Sequence, residues 1–392
     1  MYDVIVVGAR CAGSPTAMLF ARKGYRVLLL ERATFPRDTL STHYIHQPAV
    51  ARMARWGVLD AVIASGCPPI DKARYEVADL RLEGCSEPVE GHRAAYGPRR
   101  HVLDQILAEA AVASGVELRT SVTVRDVVFD GDRAVGVRLR GDTGQEYEER
   151  ARLVVGADGM RSTIAEKVGA PLTVEDPLMT CTWYSYWTGV PAVFELYEAP
   201  DRWVGSVPTN DGATLITTYF PQAEFDRVRK NTEAEYLANV AQTAPDLYER
   251  MIAGERVERL RGTGDQRNFF RQAYGPGWAL VGDAGHHKDS ITARGISDAF
   301  LQAELLVESI GDRLHDEAAL TKALRRYARQ RDSQLSDIYQ TTLIVAQLTV
   351  GAERLELLRA IASTPEGVER YFSTVSGVCP VEELYVPELL PR

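Results

Sequence analysis

The opening thirty-one residues constrain this chain more than any other stretch. Val4–Val7 is a continuous apolar run ending at Gly8, as expected of a strand buried on both faces. Gly8-Ala9-Arg10-Cys11-Ala12-Gly13 then leads into Ser14–Arg22, where Ala17, Met18, Phe20 and Ala21 fall at helical spacing. Gly24 stops that helix in the left-handed position glycine favours. Val27–Leu30 is a second buried strand, ending on Glu31. A βαβ unit of this kind commits the chain to a parallel sheet flanked by helices. Its glycine turn lets a pyrophosphate sit on a helix N-terminus, where free N–H groups and the helix dipole favour anions. An acid ending the second strand suits a ribose hydroxyl. Arg10 stands where the middle glycine usually does, and its guanidinium could itself face phosphate. The other reading is a glycine turn that serves helix–strand packing alone.

Composition narrows the class further. The 392 residues allow two or three domains, and 45% hydrophobic with 25% charged residues is ordinary for a globular chain. Lys+Arg 45 against Asp+Glu 54 gives a net charge of -9, which argues against general nucleic-acid binding. Cys11, Cys67, Cys85, Cys181 and Cys379 lie far apart without metal-ligand spacing, a pattern suited to the cytoplasm, and no metal is expected. The start lacks a charged n-region followed by a long apolar h-region. The longest nearly apolar stretch, Leu343–Gly351, is far short of the roughly 20 residues that span a bilayer.

The α/β texture continues with an amphipathic helix over Val102–Ala113. Two strand runs, Ser121–Phe129 and Ala134–Leu139, flank the hairpin signal Asp130-Gly131-Asp132. Leu153–Val155 runs into Gly156-Ala157-Asp158-Gly159. From Met179 the period changes to two: Met179, Cys181, Trp183, Ser185 and Trp187 alternate with Thr180, Thr182, Tyr184, Tyr186 and Thr188. Strands at Val193–Tyr197, Trp203–Val207 and Ala213–Phe220 make this an antiparallel sheet inserted into an α/β domain. Glu224–Gly254 reads as mostly helical. Trp278–Val281 returns to α/β texture, a long helix starts near Gly295, and helices follow from Glu317 onward, packed on the first domain or at a subunit contact.

Further motifs carry chemistry. His43 and His46 lie in a polar loop, Asp38–His46, with no third ligand apparent. Arg99-Arg100 opens the second helix, where a cation is unfavourable on dipole grounds; a bound anion or a solvated surface pair would each account for it. Gly282-Asp283-Ala284-Gly285-His286-His287, a loop, and Gly295-Ile296 opening a helix suit a carboxylate on a polyol and a helix N-terminus facing an electron-rich ring.

Taken in order, Gly8–Gly13 with Glu31, Arg100 with Leu103-Asp104, Asp158-Gly159, and Gly282-Asp283 through Gly295 resemble the FAD-dependent monooxygenases related to p-hydroxybenzoate hydroxylase, up to about residue 345. The resemblance implies a Rossmann-like FAD-binding domain of the glutathione-reductase type (1–72, 98–178 and 265–345). An inserted antiparallel-sheet substrate domain (73–97 and 179–264) and a C-terminal helical tail (346–392) complete it. It implies that Gly8, Arg10 and Gly13 serve the FAD pyrophosphate, and Glu31 with Arg32 the adenosine end. Arg100 lies near the ribityl phosphate, and Val124 near the adenine. Asp158 and Gly159 serve FAD and transient NAD(P)H contact, Gly282 and Asp283 the ribityl chain, and Gly295 and Ile296 the flavin pyrimidine edge. In such enzymes NAD(P)H reduces FAD, oxygen adds at the flavin C4a, and the hydroperoxide delivers one oxygen atom to a small aromatic or unsaturated metabolite.

His286, His287, Asp289 and Arg294 are the candidates for acid–base or positioning work, the histidine pair being able to titrate near neutral pH. Trp183, Trp187, Tyr197 and Tyr219 are the candidate substrate pocket, although alternation allows only half of the sheet's aromatics to face it. Ser290 stands where many relatives have proline, and the Trp-x-Trp-x-Ile-Pro signature of flavin halogenases is absent. The expected function is an NAD(P)H- and oxygen-using FAD monooxygenase. An FAD-dependent reductase of unsaturated carbons or a non-catalytic flavin-binding protein are the alternatives.

Overall fold

The computed structural model describes residues 1–384; residues 385–392 of the expected tail lie outside the described residues. The N-terminal βαβ unit forms as its apolar pattern dictates. Strand Tyr2–Val7 pairs in parallel with Val27–Leu30 on one side and Glu146–Gly156 on the other, with Val6 opposite both Leu29 and Val155. Trp278–Leu280 and Glu117–Arg119 extend the same sheet in parallel at either end. Val4, Ile5 and Val6 are fully buried because both faces of the sheet are covered, that of Val4 and Val6 by helices and that of Ile5 by Val124, Val127, Val137 and Leu139 of the antiparallel hairpin. Helix Gly13–Arg22 packs against helices Arg100–Ala113 and Gly295–Ile310. The hairpin Thr123–Asp130 and Arg133–Arg140 turns at Gly131 and continues antiparallel onto Glu146–Gly156.

The second sheet runs Glu255–Arg256, Thr180–Thr188, Ala213–Pro221, Arg202–Pro208, Phe194–Ala199, Ala73–Val77, Leu80–Gly84, with Arg261–Thr263 also on Thr180–Thr188. Its pairings are antiparallel except Phe194–Ala199 with Ala73–Val77, which are parallel, as the long connection between them allows. A 3-stranded sheet of Leu172–Asp176, Asn268–Arg271 and His286–His287 lies outside both.

Both faces of the second sheet are buried, in different surroundings. The back face carries Cys181, Trp183, Trp187, Tyr197, Ile216 and Phe220 against Val228, Tyr236, Val240, Leu247 and Met251 of three helices spanning Phe225–Ala253. The front face carries Tyr75, Tyr184, Tyr186, Phe194, Trp203 and Tyr219, packed with Tyr44, Ile291 and Ala293 of the first domain. Helices Ala352–Ala362 and Pro365–Ser376 close the rest of that face through Leu358, Ile361 and Phe372. The tail thus divides. Helix Glu317–Val345 packs on helix Gly295–Ile310, whereas the later helices pack on the second sheet. A polar tie fixes the latter: Arg354 donates to Glu198 at 2.6 Å and to the Tyr75 hydroxyl at 2.7 Å.

Candidate active site

The first glycine turn is closed by contact. Gly8 has φ +99°, and a Cβ there would lie 2.4 Å from the Ala157 carbonyl oxygen. A Cβ on Gly13 would lie 1.7 Å from the Gly8 carbonyl oxygen. Only glycine fits either position. Glu31 is buried; Oε2 accepts the Ala9 amide at 3.0 Å and Oε1 the Ala33 amide at 3.0 Å. The acid therefore fixes the turn from the end of the second strand, while the adjacent Arg32 is exposed. The Val122 amide donates to the Glu31 carbonyl at 3.0 Å, bringing the strand that carries Val124 beside the acid. The first turn of helix Gly13–Arg22 has no acidic residue, and the buried Ser14 hydroxyl has no protein partner. These features fit an anionic diphosphate.

Arg100, unexplained on dipole grounds, has a partner inside its own helix. Its Nε and Nη2 each donate to Asp104 at 3.0 Å, and the fully buried Asp104 also accepts the Cys11 thiol at 3.2 Å. Arg10 approaches the same carboxylate at 4.0 Å. Burial alone would lower the Arg100 pKa, but the charge and hydrogen bonds of Asp104, with Cys11 and Asp283 nearby, together outweigh it and hold the guanidinium protonated. Burial pushes the Cys11 thiol far up, so it is a packed thiol rather than a nucleophile. The second glycine turn meets the first here: Gly282 has φ +60°, and a Cβ on it would lie 2.7 Å from the Ala12 Cβ. Asp283 beside it is exposed, with Arg100 the nearby cation.

Asp158 shapes its own turn. It accepts the Ser162 hydroxyl at 2.5 Å and the Ile164 amide at 3.2 Å, and burial raises its pKa. Gly159 takes φ +84° next to it. Gly295 opens the long helix with nothing near the place a Cβ would occupy, and Ile296 behind it is buried.

His286 departs from expectation. His286 is buried, its ring tilted against Phe270 at 4.4 Å and Tyr339 at 5.8 Å between centroids, and burial holds its pKa well below the usual range. His287 hydrogen-bonds the Arg267 carbonyl and stacks on Phe269. Both belong to the short strand of the 3-stranded sheet, so strand pairing rather than the loop sets their direction. His286 is not a near-neutral titrating group. Asp289 is buried and accepts the Thr180 amide, the Thr180 hydroxyl and the Ile291 amide at 3.1, 2.7 and 3.1 Å. Burial outweighs these bonds and raises its pKa to about 6. Arg294 lies 3.8 Å from Asp298, which also pairs with Lys288, and donates to the Val375 carbonyl at 3.4 Å.

Three of the four expected pocket aromatics are corrected. Trp183, Trp187 and Tyr197 lie on the back face, under the Phe225–Ala253 helices, and Tyr219 alone lies on the front. Its hydroxyl meets Ser290 Oγ at 2.9 Å, and Ser290 donates to Gln266 at 2.5 Å. Gln266 in turn donates to the Thr180 hydroxyl at 2.9 Å. Sequence reasoning also passed over His43. It is fully buried at φ +62° and shares a 2.5 Å hydrogen bond with the Tyr186 hydroxyl. Burial depresses its pKa to about 3. The Arg99 guanidinium lies 3.6 Å over the Tyr186 ring and bridges Asp38 at 2.5 Å and Glu258 at 2.6 Å. The adjacency of Asp38, His43 and Arg99 to strand Thr180–Thr188 depends on tertiary packing, and the one local signal was a cationic pair at a helix start.

Two glycine turns in contact, an acid under the first and a free carboxylate on the second define a dinucleotide-binding flavoprotein site. The chain belongs to the FAD binding domain family, whose model matches residues 1–342. It is an FAD-dependent oxidoreductase; NAD(P)H is the reductant typical of the family. Among curated relatives, digeranylgeranylglycerophospholipid reductase 1 of Methanopyrus kandleri is 26% identical, covering 96% of this chain and 98% of that protein. Among solved structures, the myxobacterial chondrochloren halogenase CndH superposes with a TM-score of 0.81 at 24% identity, covering 95% of this chain and 92% of that one. PqsL of Pseudomonas aeruginosa, described as "a probable FAD-dependent monooxygenase", superposes with a TM-score of 0.72 at 21% identity, covering 95% of this chain and 99% of that one. These likenesses carry the α/β fold with its second, antiparallel sheet. Among the described residues no helix is long and apolar enough to cross a membrane.

Proposed function

We propose that this chain is an NAD(P)H-dependent monooxygenase that inserts one oxygen atom into a small aromatic or unsaturated metabolite, in the cytoplasm. The observation that carries this reading is the seam between the front face of the second sheet and the loop from Asp283 to Gly295. Tyr186 and Tyr219 turn hydroxyls to His43 and Ser290 there, and the buried Tyr184 hydroxyl has no protein partner. Such a wall offers an aromatic ligand ring contacts and hydrogen bonds together. It suits a polyprenyl chain less well, because Asp38, Arg99 and Glu258 stand at the same seam and hydrocarbon would desolvate them. When bound, FAD supplies the electron transfer and oxygen activation. The protein's part is to bind, orient and exclude water. In this reading residues 1–72, 98–178 and 265–345 hold FAD, with Gly8, Gly13, Glu31, Arg100, Asp283, Gly295 and Ile296 around it. Residues 73–97 and 179–264 hold the substrate, with Tyr184, Tyr186 and Tyr219 facing it. The kinship to PqsL supports the reading.

A reductase of unsaturated carbons is the second reading, favoured by the near full-length match to the digeranylgeranylglycerophospholipid reductase. The deciding experiment is turnover of a panel of aromatic metabolites with NAD(P)H under isotopically labelled oxygen and under anaerobic conditions. Label in the product is expected. Turnover that persists without oxygen overturns the monooxygenase reading in favour of the reductase.

A further inference from the structure

We propose that Tyr327 and Arg331, which lie outside every glycine motif, are positioning residues that hold the Gly282–Asp283 turn in its FAD-binding shape. Both stand on helix Glu317–Val345, four residues apart and so on one face. The segment from Leu280 to Gly285 leaves the central sheet, turns through Gly282 and enters the loop. Each end of that segment presents a carbonyl to the helix. Leu280 accepts the Tyr327 hydroxyl at 2.7 Å, and Gly285 accepts Arg331 Nη1 at 3.1 Å. Asp283 lies between these two anchors, and Gly282 touches Ala12 of the first turn. A shift of either anchor therefore moves the carboxylate relative to the pyrophosphate end.

Arg331 is 1% exposed. Its Nη2 donates to the Arg271 carbonyl at 2.8 Å, and Nε donates to Asp332 at 2.8 Å, a carboxylate half in solvent. One guanidinium thus ties the turn to strand Asn268–Arg271. Burying a cation against carbonyls carries a desolvation cost that a methionine of similar size would avoid. The rigid fork of donors is what a methionine lacks, and it matches carbonyls that diverge from one point.

Gly285 supports the assignment independently. Its backbone is ordinary, at φ -111° and ψ -19°, so no left-handed conformation requires glycine. A Cβ there would lie 2.9 Å from Arg331 Nη1 and 3.1 Å from the Leu280 Cβ. The glycine makes room for the guanidinium to reach the carbonyl.

The test is titration of apoprotein with FAD, followed by flavin fluorescence, beside the thermal midpoint of the apoprotein. Arg331→Met is expected to raise the FAD dissociation constant on the order of tenfold, with partial recovery in Arg331→Lys. Gly285→Ala is expected to weaken binding alone but to add little in the Arg331→Met background, because the contact it disturbs is already gone. If Arg331→Met does not fold, Gly285→Ala and Tyr327→Phe carry the test, each with roughly threefold weaker binding. Folded variants that lose thermal stability yet bind FAD as the parent does would overturn the proposal and leave Arg331 a packing residue. A parent apoprotein that takes up no FAD would overturn the cofactor assignment itself, and the proposal with it.

Discussion

The Tyr219 hydroxyl lies 2.9 Å from Ser290 Oγ, so a strand of the second sheet touches the loop joining Asp283 to Gly295 through one polar contact. Ser290 keeps its bond to Gln266 when Tyr219 is changed. Tyr219→Phe should leave the FAD-to-protein ratio unchanged, cost about 1 kcal/mol of stability or less, and weaken organic-substrate binding a few-fold. Absorbance at the flavin band and substrate-induced difference spectra measure the two quantities separately.

The contact of Gly282 with Ala12 gives a rescue experiment. Gly282→Ala places a residue with a side chain at φ +60° and drives its Cβ to 2.7 Å from the Ala12 methyl. The left-handed backbone costs roughly 1–2 kcal/mol and the collision adds to it, so FAD affinity should fall at least tenfold. Ala12→Gly in the same chain removes the collision and not the backbone strain. Partial recovery of FAD affinity in the double variant is the expected titration result.

Asp289 makes stability fall as pH rises over a defined window. Folded, it keeps its proton to about 6, because burial opposes ionisation, against an ordinary value of 3.8. Between those values the folded chain binds more protons than the unfolded chain, so stability is lost as pH increases through the window. Asp289→Asn cannot ionise and lacks this slope. Thermal midpoints of the two proteins from about pH 4 to about pH 7 should shift in favour of the variant as pH rises.

The buried histidines act in the opposite direction. Burial depresses His43 to about 3 from an ordinary 6.5, and holds His46 and His286 well below that value. The unfolded chain takes up protons on these side chains first, so stability present above about 6.5 is lost as the solution is acidified. His43→Gln should flatten that acid limb, read as a smaller drop in midpoint between neutral pH and about pH 5. It should also release the Tyr186 hydroxyl, which difference spectroscopy of the tyrosines detects.

The nucleotide turn was legible because its constraints are local. Gly8, Gly13 and Glu31 lie within one βαβ unit, where Gly13 meets Gly8 and Glu31 accepts the Ala9 amide, although the Ala157 carbonyl against Gly8 comes from far along the chain. The two faces of strand Thr180–Thr188 were legible as alternation. The front could not be told from the back, since both carry aromatics and the deciding partners, Tyr236 behind and Ile291 in front, lie far along the chain. His286 departed from the near-neutral titration expected of it for a related reason. The sequence places it in a loop, but pairing with Phe270 makes it part of a strand and buries it. Arg100 was explicable from sequence after all, by Asp104 one helical turn on.

Strand Trp278–Leu280 joins Glu146–Gly156 in the central sheet, although more than a hundred residues separate them. On the ribosome, the early βαβ unit emerges long before this neighbour, and the edge at Val154 and Val155 waits unpaired while the strands of the second sheet from Thr180 to Thr263 are synthesised. An exposed parallel edge is slow to satisfy and open to wrong partners. Chains cut short before Trp278 should therefore clump instead of accumulating as stable fragments, read as their loss from the supernatant after centrifugation.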